Sequence, residues 1–193
     1  MVLSTGSNKI KTAVFISGKG SNLKSLIKFS KSKYSPISIK LIVSNYRHAE
    51  GLKYGLINKI PKKIINFEKN NKAEKKLLFE LKKNKIQLIC LAGFMKVLSK
   101  NFIKNFKKKI LNIHPSLLPK YKGLNTHKRA LENKDSYSGC TVHFVNSKLD
   151  SGKIILQKKV KILKKDTVTS LKKKILNAEH KLYPKAILKV FSL

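Results

Sequence analysis

The sequence contains few of the residues on which several classes of protein depend. It has no tryptophan, two cysteines (Cys90 and Cys140) and nine acidic residues among 193. Two cysteines cannot supply the disulfide framework of a small secreted domain, and neither belongs to a paired-cysteine metal motif. We therefore expect both thiols to be reduced, and we expect no metal because no cluster of ligands has the required spacing.

Long apolar runs are also missing, although hydrophobic residues make up 41% of the chain. No run approaches the roughly 20 residues that a helix needs to cross a bilayer. The segment from Met1 to Lys11 is short and polar, unlike a signal peptide. We therefore expect a cytoplasmic protein without a membrane partner. We expect it to form a single domain over residues 1–193, in which residues 1–10 are a polar extension.

Acidic residues are so few that the 44 lysines and arginines give a formal net charge of +35. Such an excess commonly indicates a nucleic-acid partner. The lysines are nevertheless spread along a chain that is also rich in asparagine and isoleucine, as compositional drift in an AT-rich genome would produce. We favour drift over a specific nucleic-acid partner. We still expect nonspecific RNA or DNA binding at low salt and attraction of phosphorylated substrates.

Short β-branched segments alternate with lysine-rich helical patterns, which is typical of βαβ units and a mostly parallel sheet. Parallel strands are predicted at residues 12–16, 37–43, 64–66 and 88–91, and antiparallel strands at 139–145 and 153–162. Helices are predicted at residues 21–30, 49–58, 72–83, 101–106 and 168–191. Pro184 predicts a kink or a break in the last helix. The predicted fold class is α/β, with helices flanking a mostly parallel central sheet.

A strand-like apolar run ends at Asn112 and His114 and continues into a loop bounded by two prolines. Residues two apart on an extended strand project from the same face, so these side chains would lie together. An amide beside an imidazole can stabilise negative charge that develops on a carbonyl oxygen. Asp150 could orient the imidazole or hold it charged. Taken alone, the Asn-x-His pattern is weak evidence, since a histidine at a strand end is more often structural.

A glycine-rich turn, residues 18–22 (Gly-Lys-Gly-Ser-Asn), joins the first predicted strand to the first predicted helix. Its glycines would let the backbone approach a ligand, and the amides of a helix N-terminus favour an anion. The spacing matches neither the dinucleotide fingerprint nor the P-loop. An ordinary turn with Ser21 or Asn22 as the helix N-cap is therefore an equal alternative.

These motifs belong to a longer ordered set, which comprises residues 18–23, 91–99, 112–119, 123–127, 142–145, 149–152 and 179–184. In their order and spacing, from about Lys11 to about Phe191, the chain resembles the phosphoribosylglycinamide formyltransferases, folate-dependent enzymes of purine synthesis. The resemblance implies a Rossmann-like formyltransferase fold with antiparallel C-terminal strands. It also implies formyl transfer from 10-formyltetrahydrofolate to the amine of glycinamide ribonucleotide, by a monomer or homodimer without a metal.

The resemblance also implies roles for individual residues. The expected catalytic residues are Asn112, His114 and Asp150, of which Asn112 also contacts the folate. The residues expected to bind the ribonucleotide are Gly20, Ser21, Asn22 and Glu179. Those expected to line the folate pocket are Met95, Lys96, Val97 and Leu98. His127 could help to shape the site, or cap or pack against a helix. His143 could be structural or face the cleft, and we favour a structural role.

The chain departs from the family pattern at several positions. Lys96 replaces the commoner arginine, and Ser151 replaces the first of two glycines that usually follow the catalytic aspartate. Asn70 stands where the family often has an arginine near the folate tail, with Lys69 and Lys72 as possible substitutes. The substitution at position 70 weakens the expected contact with the folate glutamate.

Three other functions fit parts of the sequence. The methionyl-tRNA formyltransferases share residues 112–119 but have a further C-terminal domain and a different continuation at residues 122–127. The formyltetrahydrofolate hydrolases usually have an N-terminal regulatory domain, whereas the catalytic domain is expected to begin near Lys11 here. A nucleic-acid binder on a degenerated scaffold would have lost its catalytic residues, yet the expected trio is present. We therefore favour the ribonucleotide formyltransferase.

Overall fold

The computed structural model describes residues 9–67 and 70–191, and in this part of the chain the strands form one seven-stranded sheet. The strands are β1 (Ile10–Ile16), β2 (Ile37–Ser44), β3 (Lys62–Ile64), β4 (Leu88–Leu91), β5 (Lys109–His114), β6 (Tyr137–Phe144) and β7 (Ile154–Lys161). They lie in the order β3-β2-β1-β4-β5-β6-β7. Neighbouring strands from β3 to β5 pair in parallel, whereas β6 pairs antiparallel with both β5 and β7. The predicted α/β class and the antiparallel C-terminal strands are confirmed.

Six α-helices of the described residues flank this sheet. They are α1 (Ser21–Ser30), α2 (Lys53–Ile57), α3 (Asn70–Lys83), α4 (Lys100–Phe106), α5 (Thr126–Glu132) and α6 (Val168–Val190). Leu23 and Leu26 of α1 pack with Leu171 of α6 on one face, while Leu77 of α3 and Phe102 of α4 pack on the other. The central strands are therefore buried on both faces, which explains their nearly continuous apolar sequence.

Most predicted elements differ from the structure by one or two residues at an end, and the differences are largest for two of them. The strand predicted at residues 64–66 is found at Lys62–Ile64, where a lysine-rich stretch pairs with the end of β2. The helix predicted at residues 49–58 begins as a 3-10 turn, Glu50–Leu52, and only then continues as α2. Short edge elements such as these are fixed by their neighbours more than by local apolar periodicity.

Of the kink or break predicted at Pro184, the break is wrong, because α6 continues through this residue. Proline lacks the N–H that would bond to the carbonyl four residues earlier, here the carbonyl of His180. The Ser25 hydroxyl of α1 donates to that carbonyl oxygen at 2.9 Å. The bond that proline removes is thus replaced from a neighbouring helix, so the carbonyl keeps a partner.

Tyr183, on the same helix, ties α6 to the middle of the sheet. Its side chain is fully buried, and its hydroxyl oxygen lies 3.1 Å from the carbonyl oxygen of Leu91 and 3.0 Å from that of Leu111. One hydroxyl hydrogen is shared between both carbonyls at the point where β4 and β5 approach their C-terminal ends.

No helix of the described residues combines the length and apolar character that a membrane span requires.

Lysine occupies several backbone positions that favour glycine. Lys59, Lys85, Lys107 and Lys134 have φ between 51° and 54°, in the left-handed region. Lys107 is the C-cap of α4, with φ 54° and ψ 15°. A side chain with a Cβ is strained in this conformation, and glycine is the usual residue at such helix ends.

Replacement of Lys107 by glycine should therefore stabilise the protein. We expect Lys107→Gly to raise the free energy of unfolding by about 0.5–1 kcal/mol, since the relief of strain exceeds the entropy cost of glycine. The control, Lys104→Gly, removes the same charge from the exposed face of the same helix and should lower it by about 1 kcal/mol. Urea denaturation measures both, and a loss of stability in both variants would contradict this explanation.

Candidate active site

The strands place three sequence motifs at one edge of the sheet. β1 is hydrogen-bonded to β2 on one side and to β4 on the other, so the strand order reverses between β1 and β4. Ligands of open α/β sheets bind outside the carboxyl ends of the strands at such a reversal. The glycine-rich turn follows β1, residues 92–99 follow β4, and the proline-bounded loop follows β5. All three loops therefore leave the sheet on the side where a ligand is expected.

Asn112, His114 and Asp150 come together at the end of β5. The Asp150 carboxylate, in the loop between β6 and β7, has one oxygen (Oδ2) 3.3 Å from His114 Nδ1. Its other oxygen, Oδ1, accepts a hydrogen bond from Asn112 Nδ2 at 3.3 Å. Only 8% of the Asp150 side chain and 7% of the His114 side chain are exposed. The three residues that the sequence separates by up to 38 positions thus form one buried polar cluster.

The backbone holds Asp150 in an uncommon conformation, with φ 45°. The Gly123 N–H donates to Oδ2 at 2.9 Å. A Cβ on Gly152 would lie 1.7 Å from the carbonyl oxygen of Phe144, so only glycine fits at that position. Ser151 is half-buried and takes the position where the family has its first glycine. The substitution at 151 therefore leaves intact the one glycine that the loop requires.

His143 contacts this cluster, as the less favoured of its two alternatives, a position facing the cleft, requires. It is the cross-strand partner of Asn112, and its Nε2 lies 3.2 Å from Asn112 Nδ2 and 3.6 Å from Asp150 Oδ1. Its Nδ1 lies 2.8 Å from the carbonyl oxygen of Phe144, so Nδ1 carries a hydrogen that is donated to this carbonyl. Alternation along β6 alone could not reveal this contact, because the register between β5 and β6 decides it.

The ionisation of the cluster follows from burial and from its hydrogen bonds. Desolvation opposes the charge on Asp150, but hydrogen bonds from His143 and the Gly123 N–H, with the nearby His114, hold its pKa below the usual value. Burial lowers the pKa of His114, although the Tyr121 carbonyl and the Asp150 carboxylate oppose this shift. From the sequence, Asp150 could orient the imidazole or hold it charged. In the structure the Asp150 carboxylate favours the charged form, while desolvation opposes it.

The loop after β5 covers His114. His114 Nε2 lies 2.8 Å from the carbonyl oxygen of Tyr121, and the Tyr121 hydroxyl donates to Asp135 at 2.8 Å. His127, in the first turn of α5, is half-buried, and burial, Lys172 and His114 all lower its pKa. Whether His127 shapes the site or caps or packs against a helix stays a prediction.

The glycine-rich turn leads directly into α1, with Gly20 as the N-cap at φ 71°. The alternative with Ser21 or Asn22 as N-cap is therefore wrong. A Cβ on Gly20 would lie 2.6 Å from the Cα of Gly51, so the close approach of two backbone segments requires glycine. The first turn of α1 presents backbone amides that lack intrahelical partners and favour an anion.

The side chain of Asn22 contacts the last helix. It is 7% exposed, and its Nδ2 donates to Glu179 Oε2 of α6 at 2.7 Å. Its Oδ1 is buried and has no hydrogen-bond partner among the described residues. Burial, partly offset by this hydrogen bond, raises the pKa of Glu179 to about 7. Asn22 can thus offer its backbone amide to an anion, while its side chain and Glu179 form an adjacent polar pair.

The predicted folate residues differ in their exposure. Met95 and Val97 are 64% and 67% exposed, whereas Leu98 is buried in the core. The Phe94 ring packs edge-on against Phe15 and Phe67, with centroids 5.4 and 5.5 Å apart. The loop is therefore anchored by Phe94 and Leu98 and presents Met95, Lys96 and Val97 outward.

The residues considered for the folate tail lie at the start of α3. Lys69 lies outside the described residues, and only the backbone of Asn70 is described. Lys72 is exposed. Within residues 9–67 and 70–191, no group of three or more His, Cys, Asp or Glu residues is arranged to hold a metal ion.

Comparison with known proteins gives consistent matches over nearly the whole chain. The family model described as formyl transferase matches residues 10–187. The chain is 42% identical to phosphoribosylglycinamide formyltransferase of Haemophilus influenzae, over 92% of this chain and 85% of that protein. It is 37% identical to the Escherichia coli protein of the same name, over 90% of this chain and 84% of that protein.

A second group of relatives is much longer. The chain is 43% identical to the trifunctional purine biosynthetic protein adenosine-3 of Gallus gallus, over 93% of this chain but 18% of that protein. It thus spans less than a fifth of the trifunctional relatives that it matches. Among solved structures, glycinamide ribonucleotide transformylase 1 from Symbiobacterium toebii has a TM-score of 0.91 and 34% identity, over 97% of this chain and 90% of that chain. Phosphoribosylglycinamide formyltransferase from Brucella melitensis has a TM-score of 0.89 and 39% identity, over 95% of both chains.

The raised pKa of Glu179 predicts a stability change with pH. Between about pH 4.5 and about pH 7 the unfolded chain loses this proton while the folded chain keeps it, so the free energy of unfolding falls as pH rises. The native protein should lose on the order of 3 kcal/mol of unfolding free energy across this pH range, and Glu179→Gln should abolish this loss. Urea denaturation at pH 5 and pH 8 measures it, with the exposed Glu132→Gln as control. Parallel pH profiles for Glu179→Gln and the native protein would contradict the assignment.

The pKa of His114 should respond to the removal of Asp150. The carboxylate favours the charged imidazole, so Asp150→Asn should lower the pKa of His114 further than burial already does. Titration of the histidine ring signals by NMR measures this shift. A pKa of His114 that stays unchanged or rises in the variant would show that the contact between Asp150 Oδ2 and His114 Nδ1 is not an effective ion pair.

Proposed function

The chain belongs to the formyl transferase family, and from this premise we propose that it transfers the formyl group of 10-formyltetrahydrofolate to the amine of glycinamide ribonucleotide in purine synthesis. The observation that carries the proposal is the cluster of Asn112, His114 and Asp150 at the sheet edge from which both ligand loops project. An amide donor, an imidazole and a carboxylate are the groups that acyl transfer between two nitrogens requires.

The reaction begins with attack of the neutral amine on the formyl carbon. A bond forms between the amine nitrogen and this carbon, and the formyl oxygen becomes an oxyanion. Asn112 Nδ2 carries two hydrogens, which face His143 Nε2 and Asp150 Oδ1 in the structure. The formyl oxygen accepts a hydrogen bond from one of these two N–H groups. A fixed donor at this position stabilises the developing negative charge.

His114 supplies the second donor to the oxyanion. Its Nε2 faces the Tyr121 carbonyl at 2.8 Å, so this carbonyl must release Nε2 before the imidazole can turn to the substrate. Burial lowers the pKa of the free imidazole, but the negative oxygen beside it favours the charged form. Desolvation thus disfavours the charged imidazole before the substrates bind, and the oxyanion favours it.

Asp150 assists the proton transfer that completes the reaction. The attacking nitrogen loses a proton and the N10 atom of the folate gains one, directly or through water, while the bond between N10 and the formyl carbon breaks. The lowered pKa of Asp150 keeps its carboxylate charged, so it stabilises the imidazolium and the ammonium that forms during attack. The products are the N-formyl ribonucleotide and tetrahydrofolate.

The two substrates occupy the loops on either side of the cluster. The amides at the start of α1, with Gly20, Ser21 and Asn22, hold the ribonucleotide phosphate, and Glu179 lies close to the same substrate. Met95, Lys96, Val97 and the backbone near Leu98 hold the pteridine. The net charge of +35 attracts both anionic substrates.

The other expectations from the sequence belong to the same proposal. They are a cytoplasmic location, a single domain over residues 1–193, a monomer or homodimer, and nonspecific binding of nucleic acid at low salt. Nucleic-acid binding follows from the same positive charge and should weaken steeply as salt increases.

The test is formyl transfer by the purified protein from 10-formyltetrahydrofolate, with and without glycinamide ribonucleotide. We expect folate turnover that requires the ribonucleotide. His114→Ala and Asp150→Asn should each lower kcat by about 100-fold or more, because an oxyanion donor or its ionic partner is lost, while ribonucleotide binding survives. Turnover without the ribonucleotide would indicate a hydrolase. No turnover, together with tight salt-sensitive RNA binding, would indicate a repurposed scaffold.

A further inference from the structure

Ser17 lies at the reversal of strand order, directly after β1 and before the glycine-rich turn. Neither the family resemblance nor the catalytic cluster gives this residue a role. It is half-buried, and its neighbours are the loops that follow β2 and β4. A side chain at this position can therefore contact the segments that bind both proposed substrates.

The Ser17 hydroxyl joins three loops. Its oxygen accepts a hydrogen bond from the backbone N–H of Met95 at 2.7 Å. Its single hydrogen is donated to Asn45 Oδ1, after β2. The backbone N–H of Ser17 donates to the carbonyl oxygen of Gly93 at 3.1 Å. Because the hydroxyl has one hydrogen, donation to Asn45 fixes its lone pairs, and one of them faces the Met95 amide.

Further contacts hold the glycine-rich turn against the same region. The Gly51 N–H donates to the carbonyl oxygen of Gly18 at 3.0 Å, and the backbones of Gly20 and Gly51 are in close contact. The glycine-rich turn is therefore held in place. The Ser17 side chain links it to the exposed loop that carries Met95 and Val97. The other end of that loop is held by Glu74, whose carboxylate accepts from the Ser99 N–H at 2.8 Å.

We infer that Ser17 is a positioning residue for the formyl donor, which sets the backbone of Met95 relative to the turn that binds the ribonucleotide phosphate. The inference rests on the proposed function. Ser17 acts through the Met95 backbone and does not itself contact the substrates. Its loss should leave the ribonucleotide site and the catalytic cluster in place while the donor loop becomes less well ordered.

The experiment compares steady-state kinetics of the native enzyme, Ser17→Ala and Ser17→Thr. We expect Ser17→Ala to raise the KM for 10-formyltetrahydrofolate about threefold to tenfold, the effect of one lost hydrogen bond. The KM for the ribonucleotide and kcat should stay within about twofold. Ser17→Thr retains the hydroxyl and should restore the donor KM. The control, Ser30→Ala, removes a hydroxyl that donates to the Ile27 carbonyl at the end of α1, and should change none of these constants.

Two further measurements separate positioning from a general loss of stability. Amide hydrogen exchange should show a less protected Met95 N–H in Ser17→Ala, with little change in the β1 and β4 amides. Asn45→Ala removes the acceptor that orients the hydroxyl and should raise the donor KM by a smaller factor. Equal rises in both KM values, or a lower unfolding temperature with an unchanged donor KM, would overturn the inference.

Binding of tetrahydrofolate, measured by calorimetry, distinguishes failure of this inference from failure of the proposed function. If the native protein transfers formyl groups but Ser17→Ala binds tetrahydrofolate as tightly as the native protein does, the positioning role is wrong and the proposed function stands. If the native protein neither transfers formyl groups nor binds tetrahydrofolate, the proposed function fails and the inference fails with it.

Discussion

The buried carboxylate of Asp150 imposes the strongest constraint on the part of the structure that carries the candidate site. A charge with so little exposure is tolerated only when hydrogen bonds and opposite charge replace the lost water. Asp150 obtains them from Asn112 and His114 of β5, from His143 of β6, and from the Gly123 N–H of the loop after β5. Two antiparallel strands and two loops must therefore meet at one point. The pairing of β5 with β6 thus supplies the groups that keep Asp150 charged.

The other carboxylates offset part of the positive charge, because a chain with a net charge of +35 repels itself. Several of its few acidic side chains hold segment ends or bridge elements. These contacts are Glu74 with Ser99 at the start of α4, Glu80 with Lys63 of β3, Asp135 with Lys120, and Asp166 with Ser170 and Lys174 at the start of α6. Backbone and side-chain hydrogen bonds lower the pKa of Asp166 to about 2. The few carboxylates thus join segments that are distant in sequence or fix the start of a helix.

The sequence predicts features that depend on local pattern and misses those that depend on distant partners. The β-branched runs located β1, β2 and β4, and the motif spacing identified Asn112, His114 and Asp150 as one group. The contact of His143 with Asn112 depends on cross-strand register, and the Tyr121 carbonyl at His114 depends on the path of a loop. The Asn22 side chain turns to Glu179, 157 positions away, which no local rule indicates. Long-range contacts of this kind appear only once the chain is folded.

Proline in the middle of a helix is usually regarded as a local defect. In α6 the carbonyl freed by Pro184 is taken by Ser25, which lies one turn beyond the start of α1. The two helices are therefore fastened at a fixed point along their lengths, close to the turn that offers its amides to an anion. A backbone bond missing from the last helix is thereby replaced by a contact that holds the first helix, so two segments from opposite ends of the chain share one point of attachment.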